Sequence, residues 1–232
     1  MTDFLVIGSG IAGLYFAHKA KGDIVICTKD KVIESNTLYA QGGIAGVFGK
    51  DDSFDEHIKD TLNCGCFLND KKVVEYFVRN APSVINDLQS MGAKFSETSG
   101  KFSLTKEGGH SKKRVVHCLD HTGKAIEMAL MRSLDGTVHE FYQAIELIVR
   151  DGRCCGAIFL DLRTKECKAI FAKCTVIATG GAGQLYRHTS NPKIATGDGV
   201  ALGYLAGAKV KDLEFVQFHP TTLNVKGAPN FL

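Results

Sequence analysis

The sequence has no run of eighteen apolar residues, so no transmembrane helix is expected. Neither sign of charge dominates: 28 Lys and Arg face 25 Asp and Glu, a formal net of +3. A balance this close to zero is too small to imply nucleic acid or membrane surfaces as electrostatic partners, and neither is expected. The single basic cluster, Lys112-Lys113-Arg114, reads as a solvated face. The first residues, MTDFLVIGSG, lack a basic leader and a small-residue cleavage site. No secretory signal is expected, and the implied compartment is the cytoplasm. The eight cysteines do not fall into paired Cys-x-x-Cys sets, so no metal site is expected and they read most simply as buried or surface thiols in a reducing cytosol. Internal repeats and low-complexity linkers are absent. What remains is an ordinary globular composition, 44% hydrophobic and 23% charged, over 232 residues, enough for one large domain or two small ones.

Order begins at once. Asp3–Ile7 is a short apolar run that stops at Gly8. Ile11, Leu14, Tyr15 and Ala17 then recur at helical spacing, and Asp23–Thr28 is β-branched again. Strand, glycine turn, helix and strand make a βαβ unit. Val73–Met91 is a predicted helix with Val74, Phe77, Val78, Ile85 and Leu88 on one side, and Pro82 starts a second helix or kinks the first. Gly123–Leu134 is another, with Asp120-His121 at its start. Three strands follow, AIELIV, CCGAIFLDL and CKAIFA, with hairpin chemistry at Asp151-Gly152. After that meander come a buried strand over Thr175–Gly181, a helix over Gly199–Gly207 and a strand over Glu214–Phe218. The fold class is therefore α/β: a Rossmann-like parallel sheet with an antiparallel β-meander and inserted helices.

Gly8-Ser9-Gly10-Ile11-Ala12-Gly13 is a G-x-G-x-x-G turn between a predicted strand and a predicted helix. The first glycine permits the turn, the second lets a pyrophosphate reach the backbone, and the third lets helix and strand pack. The helix N-terminus offers free N–H groups to phosphate. A ribose-binding acid is expected at the end of the second strand. Instead that strand ends Cys27-Thr28-Lys29, with Asp30 displaced by two. Lys29 argues against an ordinary NAD site. It either meets a phosphate or ribose, or is a surface lysine.

The stretch Leu38–Gly49, LYAQGGIAGVFG, puts four glycines into twelve residues. Bare backbone of this kind suits a ligand that comes very close to the main chain. Amides at Gln41-Gly42-Gly43 can hydrogen-bond the edge of a flavin ring, because no Cβ blocks its approach. Tyr39, Ile44, Val47 and Phe48 are too apolar for a solvated linker.

Taken together, GSGIAG, SNTLYAQGGIAG, ATGGAG, TGDG and FHPT, in that order, resemble the succinate dehydrogenase/fumarate reductase flavoprotein superfamily over essentially the whole chain. The segment Thr105–His117, TKEGGHSKKRVVH, is most similar to the L-aspartate oxidase group within it. Respiratory members carry a flavin-linked histidine between the Ser and Thr of the glycine loop. Asn36 stands there, so the resemblance implies non-covalent FAD. It further implies that Lys29 lies near the cofactor and that Asn36, Thr37, Leu38, Tyr39, Ala40, Gln41, Gly42 and Gly43 follow the flavin. Asp198 would approach the FAD, and Ala144 would meet the adenine through its backbone.

Two residues are candidates for chemistry. His219 precedes Pro220, which restrains it to an extended backbone and fixes its imidazole. The resemblance makes it a ligand of a substrate carboxylate; the other reading is a structural histidine ending a strand. Glu107 sits beside Gly108 and Gly109 and can pair with an ammonium group, which aspartate has and succinate lacks. The resemblance makes it the residue that orients the substrate; the other reading is a solvated loop acid. His110, His117 and His121 read as loop and packing residues.

The function implied is oxidation of L-aspartate to iminoaspartate, the first step toward quinolinate and NAD, with oxygen or fumarate taking the electrons. Whether the imine passes directly to quinolinate synthase stays open. Rival readings are a fumarate reductase or succinate dehydrogenase type flavoprotein, a non-catalytic nucleotide-binding module, and, more distantly, an NAD-dependent dehydrogenase. The similar proteins are more than twice this long, and the chain stops on the apolar PNFL. The expectation is thus one incomplete FAD-binding domain over residues 1–232, inactive alone and holding FAD weakly.

Overall fold

The structure is a computed structural model in which residues 1–219, Leu223 and Val225 are described. The PNFL end and Pro220 lie outside the described residues. The chain divides into two units: Met1–Leu38 with Leu134–Leu232, and Tyr39–Ser133.

The first unit opens as the βαβ pattern requires. β1 (Thr2–Ile7) runs into the glycine turn, α1 (Ile11–Lys19) follows, and β2 (Ile24–Thr28) returns parallel to β1. A one-turn helix, α2 (Asn36–Tyr39), closes this passage.

In the second unit, β3 (Ile44–Ala45) leads to α3 (Phe54–Cys64), whose cap, Ser53, accepts a hydrogen bond from Glu56 N–H at 3.2 Å. That Ser-x-x-Glu spacing is a capping box in sequence. α4 (Lys71–Ser90), capped by Asp70, continues through Pro82 without interruption. It buries Val74, Val78, Ile85 and Leu88, but Phe77 is 68% exposed, unlike its expected place on the inner face. α3 and α4 meet through Ile58, Val74 and Val78. Four short strands follow: β4 (Glu97–Thr98) pairs with β5 (Lys101–Phe102), while β6 (Leu104–Thr105) and β3 flank β7 (Val115–Val116). α5 (Thr122–Arg132), with His121 as its cap, ends the unit.

Back in the first unit, β8 (Thr137–Glu140) pairs parallel with β2, a strand the sequence reading missed because Val138 is the single apolar residue of its TVHE. β9 (Tyr142–Arg150), β10 (Arg153–Asp161) and β11 (Cys167–Ile177) form the meander. The Asp151-Gly152 corner has positive φ at both residues, as a two-residue hairpin needs. CKAIFA and the following TVI, expected as separate strands, are one. The first half of β11 pairs antiparallel with β10, and its second half pairs parallel with β1. The sheet order is β8-β2-β1-β11-β10-β9. Leu5, Ile7, Cys27, Ala157, Phe159 and Ala172 form the core on this sheet. Full burial of a side chain such as Phe159 contributes about 1.5–3 kcal/mol. α6 (Asp198–Leu205) follows. Residues 214–218 are not a strand.

All eight cysteines are free. Among the described residues no helix is long and apolar enough to cross a membrane, and no cluster of His, Cys, Asp or Glu could hold a metal.

Candidate functional site

The first unit contains a cavity of about 670 Å³ at the carboxyl ends of the parallel strands. Its floor is the glycine turn, Gly8 to Ala12. Gly8 has φ +111°, and a Cβ there would stand 2.2 Å from the Ala178 carbonyl oxygen, so β11 can end this close only to a glycine. A Cβ at Gly13 would stand 2.1 Å from Gly8 O, which is why α1 packs so tightly on β1. Gly13 therefore shapes the turn without lining the cavity. Gly10 differs, since a Cβ there would meet nothing nearer than Thr37 Oγ1 at 3.4 Å. Its bareness serves no packing need. It leaves room for something outside the chain, next to a helix start whose cap makes no side-chain hydrogen bond. Strand end, open second glycine and helix start are the features a pyrophosphate requires. The cavity thus fits FAD.

Further along the rim stand Thr28, Lys29, Glu34, Ser35, Asn36, Thr37 and Ala144, with Asp198 opposite. Lys29 is no surface lysine. Its Nζ donates to Asp198 Oδ2 at 2.6 Å and to Thr196 Oγ1. Thr196 Oγ1 in turn donates to the other Asp198 oxygen at 2.5 Å. Asp198 opens α6, where the helix dipole favours its charge. Ser9 is buried and donates to the Val32 carbonyl at 2.7 Å, so its hydroxyl is held inside the fold. Ile11 N–H is met by Thr37 Oγ1 at 3.0 Å, tying the turn to α2. Burial pushes the Cys27 thiol up to about 12, so this cavity wall carries no thiolate near neutrality. Asp30 does not line the cavity; its carboxylate accepts from Lys31 N–H. Glu34 and Asn191 do line it and were missed, since neither stands in a quoted motif. Leu38 is not among the lining residues.

His219 lines an adjoining cavity of about 840 Å³ with Tyr186, Tyr204 and Phe218. Gly181, Asn191 and Val200 border both cavities.

Tyr39–Gly43 belong to the second unit. There the start of α5 holds their backbone: Gly123 N–H donates to Ala40 O at 2.9 Å, and Thr122 Oγ1 donates to Gly42 O at 2.7 Å. A Cβ at Gly43 would stand 2.4 Å from Val116 O. A Cβ at Gly42 would stand 3.0 Å from Glu107 Oε1. The loop after β6 therefore brings a carboxylate against the barest part of the glycine stretch.

Beneath that loop, Arg114 is fully buried, contrary to the solvated face expected of Lys112-Lys113-Arg114. Two carboxylates drew it in. Arg114 Nε and Nη2 donate to Asp52 at 3.0 and 2.8 Å, and Nη1 donates to Asp60 Oδ2 at 2.7 Å. Burial alone would lower the guanidinium pKa, but both aspartates raise it above the ordinary arginine value. Burial likewise pushes Asp60 upward, yet Ser111 N–H, Ser111 Oγ and Arg114 together hold it below the usual carboxylate range. Charge-assisted bonds of this length are the strong kind. No sequence signal marks this assembly, because its members are scattered from position 52 to 114.

The FAD binding domain family matches residues 3–232. L-aspartate oxidase, chloroplastic, from Oryza sativa subsp. japonica is 40% identical over 98% of this chain and 37% of its own length. L-aspartate oxidase from Yersinia pestis is 40% identical over 100% of this chain and 47% of its own length. E. coli quinol fumarate reductase FrdA superposes with a TM-score of 0.92 at 30% identity, covering 100% of this chain and 41% of that one. The chain spans less than half the length of these relatives.

Proposed function

The chain belongs to the FAD binding domain family, and from that premise we propose that it is the cofactor-holding portion of an enzyme that oxidises L-aspartate to iminoaspartate. The observation that carries the substrate choice is Glu107, whose carboxylate lies beside the bare backbone of Gly42. A negative group there suits an α-ammonium and gains nothing from succinate or fumarate.

The residues that would hold FAD are Gly8, Ser9, Gly10, Ile11 and Ala12 at the pyrophosphate, with Gly13 closing the turn behind them, and Lys29, Asn36, Thr37, Ala144 and Asp198 along the rim; by the resemblance Leu38, Tyr39, Ala40, Gln41, Gly42 and Gly43 would follow the flavin. When bound, FAD supplies the two-electron oxidant. Lys29 and Asp198, already paired, present a cation and an anion toward a ribose and its phosphates. Glu107 pairs with the substrate ammonium, and His219 donates to a substrate carboxylate. Both groups orient the substrate, which limits its freedom before any bond changes. Oxygen or fumarate is the acceptor in this reading. The iminoaspartate feeds quinolinate formation and so NAD; quinolinate synthase is the natural consumer of so unstable a product.

The backbone likeness to a fumarate reductase supports a second reading, with succinate and fumarate as the couple. Anaerobic addition of each substrate to the FAD-loaded whole enzyme, of which this chain is the cofactor-holding portion, separates them. L-aspartate should bleach the visible flavin absorption to completion, within about a second for ordinary turnover, and succinate should not. Bleaching by succinate alone overturns the proposal in favour of the second reading; bleaching by neither overturns both.

A further inference from the structure

The loop that carries Glu107 is poorly suited to hold it still. It joins β6 to β7 and includes Gly108 and Gly109, which add backbone freedom where the carboxylate needs a fixed direction. Its base is closed by Arg114 N–H donating to Thr105 O at 3.0 Å, and its tip turns through His110 N–H to Glu107 O at 3.2 Å. Neither bond reaches outside the loop. Near the C-terminal end of the loop, Lys112 and Arg114 are held by Asp51 and Asp52, which precede α3; the turn at 109–111, next to Glu107, is met by α3 itself. Along α3, His57, Asp60 and Cys64 are spaced i, i+3 and i+7, so they share a face. Each meets one residue of the loop turn 109–111. The His57 ring packs edge-on to the His110 ring, centroids 5.9 Å apart. Asp60 Oδ2 accepts from both Ser111 N–H, at 2.7 Å, and Ser111 Oγ, at 2.8 Å. Cys64 Sγ lies 2.3 Å from where a Cβ on Gly109 would stand, at a residue with φ +84°. Gly109 is thus required twice, for its backbone angle and for the sulfur against it.

We propose that this face of α3, locked by Arg114 between Asp52 and Asp60, positions Glu107, and that Asp60 is thereby a positioning residue for selecting amino-dicarboxylates over plain dicarboxylates. The inference rests on the reading of Glu107 given above. Asp60 touches neither Glu107 nor any ligand directly. It acts by fixing Ser111, four residues along a glycine-containing turn, so that the Glu107 carboxylate stays beside Gly42. A helix used only for packing would have no need of a charged group whose one oxygen, Oδ2, serves a loop amide, a loop hydroxyl and the buried guanidinium together.

The test compares L-aspartate with succinate, which keeps both carboxylates and lacks the ammonium. In the FAD-loaded whole enzyme, Ser111→Ala and Asp60→Asn are measured for flavin content, for KM and kcat with L-aspartate, and for the inhibition constant of succinate. Ser111→Ala removes one hydroxyl and keeps the burial pattern, so it serves if Asp60→Asn does not fold. The expected result is a rise in KM for L-aspartate of about tenfold, the loss of one hydrogen bond to a charged group. Flavin content should be unchanged, and the succinate constant should stay within about twofold on the same scale. A general structural role would weaken both ligands together, and that outcome overturns the proposal, as does no change in either. Glu107→Gln runs alongside. If it too weakens both ligands equally, the reading of Glu107 has failed and the positioning role falls with it. If Glu107→Gln discriminates and neither α3-side variant does, only the positioning role is overturned.

Discussion

The two units solve the problem of a precise surface by opposite means. The first builds its cavity from backbone. Two glycines that no other residue can replace, a strand end and a helix start define it, and its core is an apolar sheet. The second sets its carboxylate by a buried ionic assembly, Arg114 with Asp52 and Asp60, under a loop that has little rigidity of its own. Backbone geometry suits a large cofactor with a fixed outline. Placed charges suit a small polar group recognised by its sign.

The contrast is broken most forcefully at Arg114. Arg114→Met leaves Asp52 and Asp60 buried around an apolar side chain, a loss of about 3–5 kcal/mol. Hydrogen exchange should show faster opening of amides in Tyr39–Ser133 and unchanged protection in β1, β2 and β11. Equal loosening in both units would mean that the ionic assembly does not define a separate region.

Within the first unit, Gly13 and Gly10 should part company. Gly13→Ala forces a Cβ against Gly8 O, an overpacking loss of about 1–3 kcal/mol. Gly10→Ala meets only an ordinary contact, so thermal stability should change by less than about 1 kcal/mol. Its flavin affinity should nevertheless fall at least about tenfold. If Gly10→Ala binds FAD normally in a fluorescence titration, the open space over this turn is not where the cofactor lies.

Acid sharpens the comparison with a smaller effect. Burial lowers the His57 pKa below its ordinary value, with help from the nearby charges of Arg114 and His110 and against the pull of Asp52 and Asp60. A depressed folded value means stability that is complete above the unfolded pKa of about 6.5 and is lost as pH falls through the folded one. The slope cannot exceed about 1.4 kcal/mol per pH unit for one proton. In the first unit the depressed groups are carboxylates: Asp3, bonded by Lys173 and by the Asp23 amide, and Asp161, bonded by the Arg163 and Thr164 amides. Their contribution persists until pH drops below about 4. Denaturant titrations between pH 7 and 4.5 should therefore show the second unit weakening first, and His57→Gln should flatten that slope. An unchanged slope would remove His57 as its cause.

Much of the first unit could be read in advance, for a physical reason. A turn that must reach φ +111° admits essentially glycine, and a helix must start after it, so G-x-G-x-x-G carries its geometry in its letters. β-Branched runs marked β1, β2 and the meander in the same way. What escaped were features without a local signature. β11 looked like two strands because its partners change midway, and sequence does not record partners. Lys29 was ambiguous until Asp198, far along the chain, appeared beside it. Arg114 looked solvated because its neighbours Lys112 and Lys113 are charged, while Asp52 and Asp60, which bury it, lie in a different element.

The sequence by itself determined the α/β class, the glycine turn that opens the cofactor cavity, and the bare stretch at Gln41-Gly42-Gly43, since steric exclusion acts between adjacent residues. Only the tertiary structure decided that Glu107 stands against Gly42 and that α3 holds its loop. Charges pair through space, and the chain separation of their bearers leaves no trace in residue order.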